Sequence, residues 1–213
     1  METEAIELRT ADGLTLEAEL RAPAHDAWAA AVIAHPHPQH GGNMRSIVPG
    51  ALFDALPPQG VASLRFNFRG VGGSDGVFGE GSAERADVRA AVDMLAELTE
   101  GLPLLLAGWS FGADTSLAVV DERIDGWCCV APPLRFGKIE EMAARFDPRP
   151  KLLVIPQNDQ YRNPDSAREV THDWVNTRIE VVPGSDHFFV GRIERVPPLA
   201  LAFLQTLATT TRA

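Results

Sequence analysis

Cysteine is nearly absent from this chain. Its 213 residues include two, Cys128 and Cys129, side by side in an apolar run. Neighbours on a strand point to opposite faces, so no disulfide is expected between them and a disulfide-built scaffold is excluded. Long apolar stretches are missing too. None approaches the roughly 20 residues that a membrane-spanning helix needs. Positive charge is in short supply: 19 Lys+Arg stand against 29 Asp+Glu, a net charge of -10. An acidic surface repels nucleic acid and anionic membrane, so neither is an expected partner, and the plain consequence of the charge is solubility. The opening residues, Met1-Glu2-Thr3-Glu4, lack the basic-then-apolar order of a secretory signal, and the expected location is the cytoplasm. Oligomeric state is not readable at this level.

What is present is a composition of 45% hydrophobic and 23% charged residues, which suits a single domain spanning residues 1–213. Residues 4–9 and 14–20 alternate around Asp12-Gly13 and predict an antiparallel hairpin. The rhythm then changes to continuous apolar runs at 29–34, 61–68, 102–107, 126–131, 151–155 and 177–182, as expected of strands buried on both faces of a mostly parallel sheet. Helices are predicted between them. Val88, Ala91, Val92, Leu95 and Leu98 share one face of a helix over 82–99, and another follows over 111–120. Shorter helices are expected at 47–56, 138–146 and 164–175, and a last one over 194–209 with an interruption at Pro197-Pro198, followed by a frayed tail, Thr209–Ala213. Strands and helices in alternation, led by a hairpin, predict an α/β fold: a mostly parallel, doubly wound sheet.

Gly108-Trp109-Ser110-Phe111-Gly112 reads G-x-S-x-G where an apolar run gives way to a helical pattern. A serine on so tight a strand-to-helix turn projects its hydroxyl outward, and the flanking glycines let backbone approach where a side chain would clash. Such a turn holds strain on the order of 1–3 kcal/mol, which points to function. A serine hydroxyl is a weak nucleophile near neutral pH and needs a base, which in turn needs an orienting partner. After an elbow serine the chain order is acid, then histidine. Asp159 follows the run ending at Ile155, and His187 follows the run ending at Val182, both at the carboxyl ends of expected strands.

An acyl-transfer intermediate also needs preorganised donors for its oxyanion. One is expected from the backbone N–H of Phe111, after the nucleophile. The other is expected from the loop His35-Pro36-His37-Pro38-Gln39-His40-Gly41-Gly42, where the prolines lack an N–H and His37 remains, acting through its backbone. The three histidines of that loop do not predict a metal site, because no helical pairing is available to them and no cysteine or carboxylate joins them. No cofactor is expected. Asp165 is expected to cap a helix after Pro164, Asp186 is too close to His187 in a turn to face it well, and His25 and His172 are expected on the surface. Arg69–Gly76 resembles a phosphate loop only loosely, lacking its lysine, and is expected to support the site structurally.

Together these segments resemble the α/β-hydrolase superfamily, and more narrowly its small, lidless bacterial serine hydrolases, related to the dienelactone hydrolase-like group. The matching motifs are H-P-H-P at His35–Pro38, R-F-N-F-R-G-V-G-x-S-x-G at Arg65–Gly76, G-x-S-F-G at Gly108–Gly112 and D-H-F-F at Asp186–Phe189. The resemblance implies Ser110 as nucleophile, His187 as base and Asp159 as acid. It departs at Pro156-Gln157-Asn158-Asp159, where the group has G-x-x-D. Serine at position 110 argues against the cysteine chemistry of dienelactone hydrolases and the aspartate chemistry of dehalogenases. Residues 132–150 have room for one short helix and no cap domain, so an open site is expected, with Phe136, Phe146, Tyr161 and Phe188 available to line it. The expected activity is hydrolysis of a small, accessible ester or thioester through an acyl-enzyme. The alternatives are a peptidase or acyl transferase with the same triad, or a catalytically silent binding protein.

Overall fold

The computed structural model describes residues 2–136 and 139–210. An antiparallel hairpin opens the chain, with β1 (Glu4–Arg9) pairing β2 (Thr15–Arg21) from Glu4 opposite Leu20 to Arg9 opposite Thr15. Strands β3 (Ala29–Ala34), β4 (Val61–Phe66), β5 (Leu104–Trp109), β6 (Gly126–Val130), β7 (Lys151–Pro156) and β8 (Thr177–Val182) follow. They form one eight-stranded sheet in the order β1-β2-β4-β3-β5-β6-β7-β8. Only β1 and β2 run antiparallel to their neighbours; from β4 to β8 every pairing is parallel.

Strand alternation divides the interior into two layers. Ala30, Val32 and Ala34 of β3 face one side with Leu104 and Leu106, while Ala29, Ala31 and Ile33 face the other with Leu105 and Ala107. Helices α2 (Glu84–Leu98) and α3 (Phe111–Leu117) cover the first side, and α1 (Ile47–Ala55) and α5 (Val196–Thr210) cover the second. The central strands are apolar throughout because helices bury both of their faces. Cys128 and Cys129 are free and buried, one in each layer. Val88, Ala91, Val92 and Leu95 of α2 are buried as predicted, whereas Leu98, the residue that ends the helix, is exposed.

Other boundaries differ from expectation. Proline does not interrupt the last helix: α5 starts at Val196, so Pro197 and Pro198 lie in its first turn, where a missing N–H costs no intrahelical bond. Helix α4 (Pro164–Val170) is shorter than predicted, and Asn163 caps it, its side chain accepting from the Ser166 N–H; Asp165 lies inside the first turn. In place of a helix over 138–146 there are two short 3-10 turns, Ile139–Glu141 and Ala143–Phe146, separated by Met142 at ψ 78°. Lys138, and Thr211, Arg212 and Ala213 of the expected tail, lie outside the described residues, while Thr209 and Thr210 are helical. No cap domain interrupts the described chain, and no helix among the described residues is long and apolar enough to cross a membrane.

Candidate active site

The parallel strands deliver their loops to one edge of the sheet, and the expected site residues come from the ends of β3, β5, β7 and β8. Ser110 stands between β5 and α3 at φ 55°, a left-handed backbone that is strained for a residue with a side chain. Sequence explains why the turn closes. A Cβ at Gly108 would lie 2.5 Å from the backbone of Gly112, and one at Gly112 would lie 2.4 Å from the carbonyl oxygen of His35. Both glycines are therefore steric requirements, and the second seats the elbow against the end of β3.

Ser110 Oγ lies 2.9 Å from His187 Nε2, and His187 Nδ1 lies 2.8 Å from Asp159 Oδ2. With Nδ1–H donating to the carboxylate, Nε2 is left to accept from the serine hydroxyl. Asp159 and His187 are held from behind. Asp159 Oδ1 accepts from the N–H groups of Tyr161 at 2.8 Å and Arg162 at 3.1 Å. The carbonyl of His187 accepts from Trp109 Nε1 at 3.2 Å, and the Tyr161 ring meets the imidazole edge-on at 4.5 Å. All three are buried, Ser110 retaining 7% of its surface. Proline at 156 does not displace the acid: it closes β7 opposite Val182, and Asp159 follows in a turn whose N–H returns to the Pro156 carbonyl.

The loop after β3 places His37 in the cavity above Ser110. Its carbonyl accepts from His40 and Gly42, and its Nδ1 accepts from the Gln39 N–H. Among the described residues neither the N–H of His37 nor that of Phe111 finds an acceptor. Burial and the neighbouring His40 hold the His37 imidazole below the usual histidine range. His35 has a role the sequence did not disclose. Fully buried, it donates from Nδ1 to the Pro36 carbonyl at 2.6 Å and accepts at Nε2 from the Phe68 N–H at 3.0 Å, tying the loop after β3 to the loop after β4. Accepting at Nε2 requires the neutral ring, and burial pushes its pKa down to about 4. No group of His, Cys, Asp or Glu among the described residues is arranged to hold a metal ion.

The rival residues sit elsewhere. The Asp165 carboxylate is exposed and paired with Arg168, and Asp186 accepts from the Phe188 and Val190 N–H groups. His25 and His172 are exposed. Ser74 is buried between the Asn67 carbonyl and the Glu17 N–H, and Arg69 in the same loop binds Asp87 and Asp12. Of the four aromatics expected to line the site, Phe136, Tyr161 and Phe188 do, while Phe146 stacks on Arg145 away from it. A second unforeseen residue is Asp114, one turn beyond Ser110. It is fully buried, and its carboxylate accepts from the N–H groups of Leu134, Arg135 and Phe136 at 2.9–3.0 Å, fixing the wall of the cavity. Burial pushes its pKa up to about 6, against the pull of those three donors.

A doubly wound sheet with a serine on a strand-to-helix elbow defines an α/β hydrolase. Residues 31–184 match the family described as serine aminopeptidase, S33, and the chain belongs to that hydrolase family. It is 30% identical over 187 residues to the uncharacterized protein RP471 of Rickettsia prowazekii, covering 83% of this chain and 79% of that one. An alpha-beta serine hydrolase homologue from Coxiella burnetii superposes with TM-score 0.84 at 30% identity, over 93% of this chain and 96% of the other. XC6422 from Xanthomonas campestris, a serine hydrolase without a lid, superposes with TM-score 0.82 at 25% identity, over 99% and 95%.

Proposed function

We propose that the chain is a serine hydrolase that cleaves carboxylic esters or thioesters of small, accessible acyl groups. The observation that carries this reading is the continuous hydrogen-bonded path from Ser110 Oγ through His187 to the buried Asp159 carboxylate, starting from a strained elbow. Ser110 attacks the carbonyl as His187 Nε2 takes its proton, and Asp159 steadies the imidazolium. The N–H groups of Phe111 and His37 receive the oxyanion. His187 then protonates the departing alcohol or thiol, and water, activated by the same imidazole, releases the acid. The cavity, about 470 Å³ and open to solvent, is of a size for a small substrate.

The family description favours a second reading, an aminopeptidase. Such an enzyme must grip a free α-ammonium group, for which a carboxylate is the natural partner. Among the described residues no Asp or Glu lines the cavity, and its one formal charge is Arg135. That supports the ester or thioester reading. A fluorophosphonate probe, with the modified residue mapped by mass spectrometry, tests the core of it. Labelling at Ser110 that is lost in His187→Ala is the expected result. A folded sample that does not label would move a non-catalytic binding role to the front.

A further inference from the structure

Acids outnumber bases by 29 to 19 in this chain, yet the described lining of the serine cavity has one arginine and no carboxylate. Arg45, Arg65, Arg69, Arg123 and Arg149 all have carboxylate partners. Arg135 has none among the described residues; nor do Arg89, Arg145, Arg162 and Arg192, but of these only Arg135 lines the serine cavity. Its guanidinium stacks instead on two rings, with Cζ 4.8 Å from the Tyr161 centroid and 5.2 Å from that of Phe136. Tyr161 also packs against His187, so a single ring separates the guanidinium from the imidazole.

The support beneath Arg135 is built. Its backbone N–H and those of Leu134 and Phe136 are bound to buried Asp114, Leu134 takes φ 54°, and the Pro133 carbonyl accepts from Arg162 Nε at 3.0 Å. A guanidinium stacked on aromatic faces keeps the N–H groups of its planar edge available, and that edge matches a carboxylate through two parallel hydrogen bonds. Lysine could not reproduce the stack or the fork.

We propose that Arg135 selects esters or thioesters whose acyl chain carries a second, free carboxylate, the half-esters and half-thioesters of small dicarboxylic acids. The inference rests on the serine-hydrolase reading above. The second carboxylate takes no part in bond making; it docks on Arg135 and sets the scissile carbonyl over Ser110.

Two aryl alkylphosphonates test it, identical except that the alkyl chain ends in a carboxylate or in its methyl ester. Both report on Ser110 by covalent labelling, and the ratio of their rates is the readout. The carboxylate probe is expected to label about tenfold faster, as for one charge-assisted contact. The ratio falls towards one in Arg135→Met, is partly retained in Arg135→Lys, and shrinks in the wild-type protein at high salt. Equal rates, faster labelling by the methyl ester, a ratio that survives Arg135→Met, or one indifferent to salt would overturn the proposal. Failure of both probes to label Ser110 overturns the serine-hydrolase reading itself, and this inference with it.

Discussion

Trp109 Nε1 donates to the carbonyl of His187 at 3.2 Å, so the residue before the elbow serine holds the histidine whose Nε2 faces the Ser110 hydroxyl. The indole also packs against the imidazole, at 6.1 Å between centroids. The last residue of β5 thereby fixes the loop after β8, across the two strands that lie between them. Trp109→Phe keeps an apolar ring and removes the donor. Losing a hydrogen bond of about 1 kcal/mol that orients the base predicts a drop of about fivefold in kcat for a short-chain ester. Steady-state kinetics alongside thermal unfolding check it: an unchanged kcat in a folded variant would deny the contact its positioning role.

Asp159, in the turn after β7, and Asp165, in the first turn of α4, make a matched pair of acids. The first is buried against His187 Nδ1, and the second is 98% exposed and paired with Arg168. Asp159→Asn presents an amide that cannot hold the imidazole in the required tautomer, and a loss of about 10³–10⁴ in kcat is expected. Asp165→Asn is expected to leave kcat unchanged. Ester kinetics on the two variants decide the assignment, and the reverse pattern would transfer the acid role to Asp165.

The central strands were legible because burial on both faces leaves continuous apolar runs, and Ser110, Asp159 and His187 were legible because each follows such a run. The limits were those of local pattern. Pro197-Pro198 reads as a break only if the helix begins well before it, and α5 begins at Val196, one residue before the first proline. Asp114 looks like an ordinary helical acid, because its partners lie 20 to 22 residues further on and meet it only in the folded chain. His35 was likewise hidden: its Phe68 partner is on another strand's loop, 33 residues away. Arg135 takes its meaning from its place in the cavity beside the Tyr161 and Phe136 rings, which no pattern in sequence displays.

The buried Asp114 carboxyl gives stability a specific pH dependence. Its folded pKa is raised to about 6 from an ordinary value of 3.8, so the folded state binds the proton more tightly than the unfolded state does. Its contribution is therefore most favourable at or below about pH 4 and is lost as pH rises to about 6, a change of at most about 3 kcal/mol. Asp114→Asn has no such titration. Urea unfolding from pH 4 to 7 should show the wild-type stability falling relative to the variant across that window. A constant difference would mean that the group titrates normally. The variant also turns an amide NH₂ towards N–H donors, and a loss of about 1–3 kcal/mol is expected from the donors left unpaired.

Two glycines predict opposite signs for the same substitution. A Cβ at Gly112 would stand 2.4 Å from the His35 carbonyl oxygen and 2.6 Å from that of Ala34. Both obstacles are main chain, part of the central strand and the turn behind it, and cannot swing aside as a side chain would. Gly112→Ala must therefore push α3 from the sheet, at a cost of about 3 kcal/mol, and displace Ser110 from His187 as it does so. Gly50 lies within α1, and a Cβ there would meet only the Arg45 carbonyl oxygen at 3.5 Å, an ordinary contact. Gly50→Ala should stabilise by about 0.5–1 kcal/mol, because alanine has less freedom to lose on entering a helix. Chemical denaturation of both variants, with fluorophosphonate labelling of Ser110 as the functional readout, separates the outcomes. Gly50→Ala should unfold later and label normally, and Gly112→Ala should unfold earlier and label slowly. Normal labelling of a stable Gly112→Ala protein would mean that the elbow does not require its close approach to the end of β3.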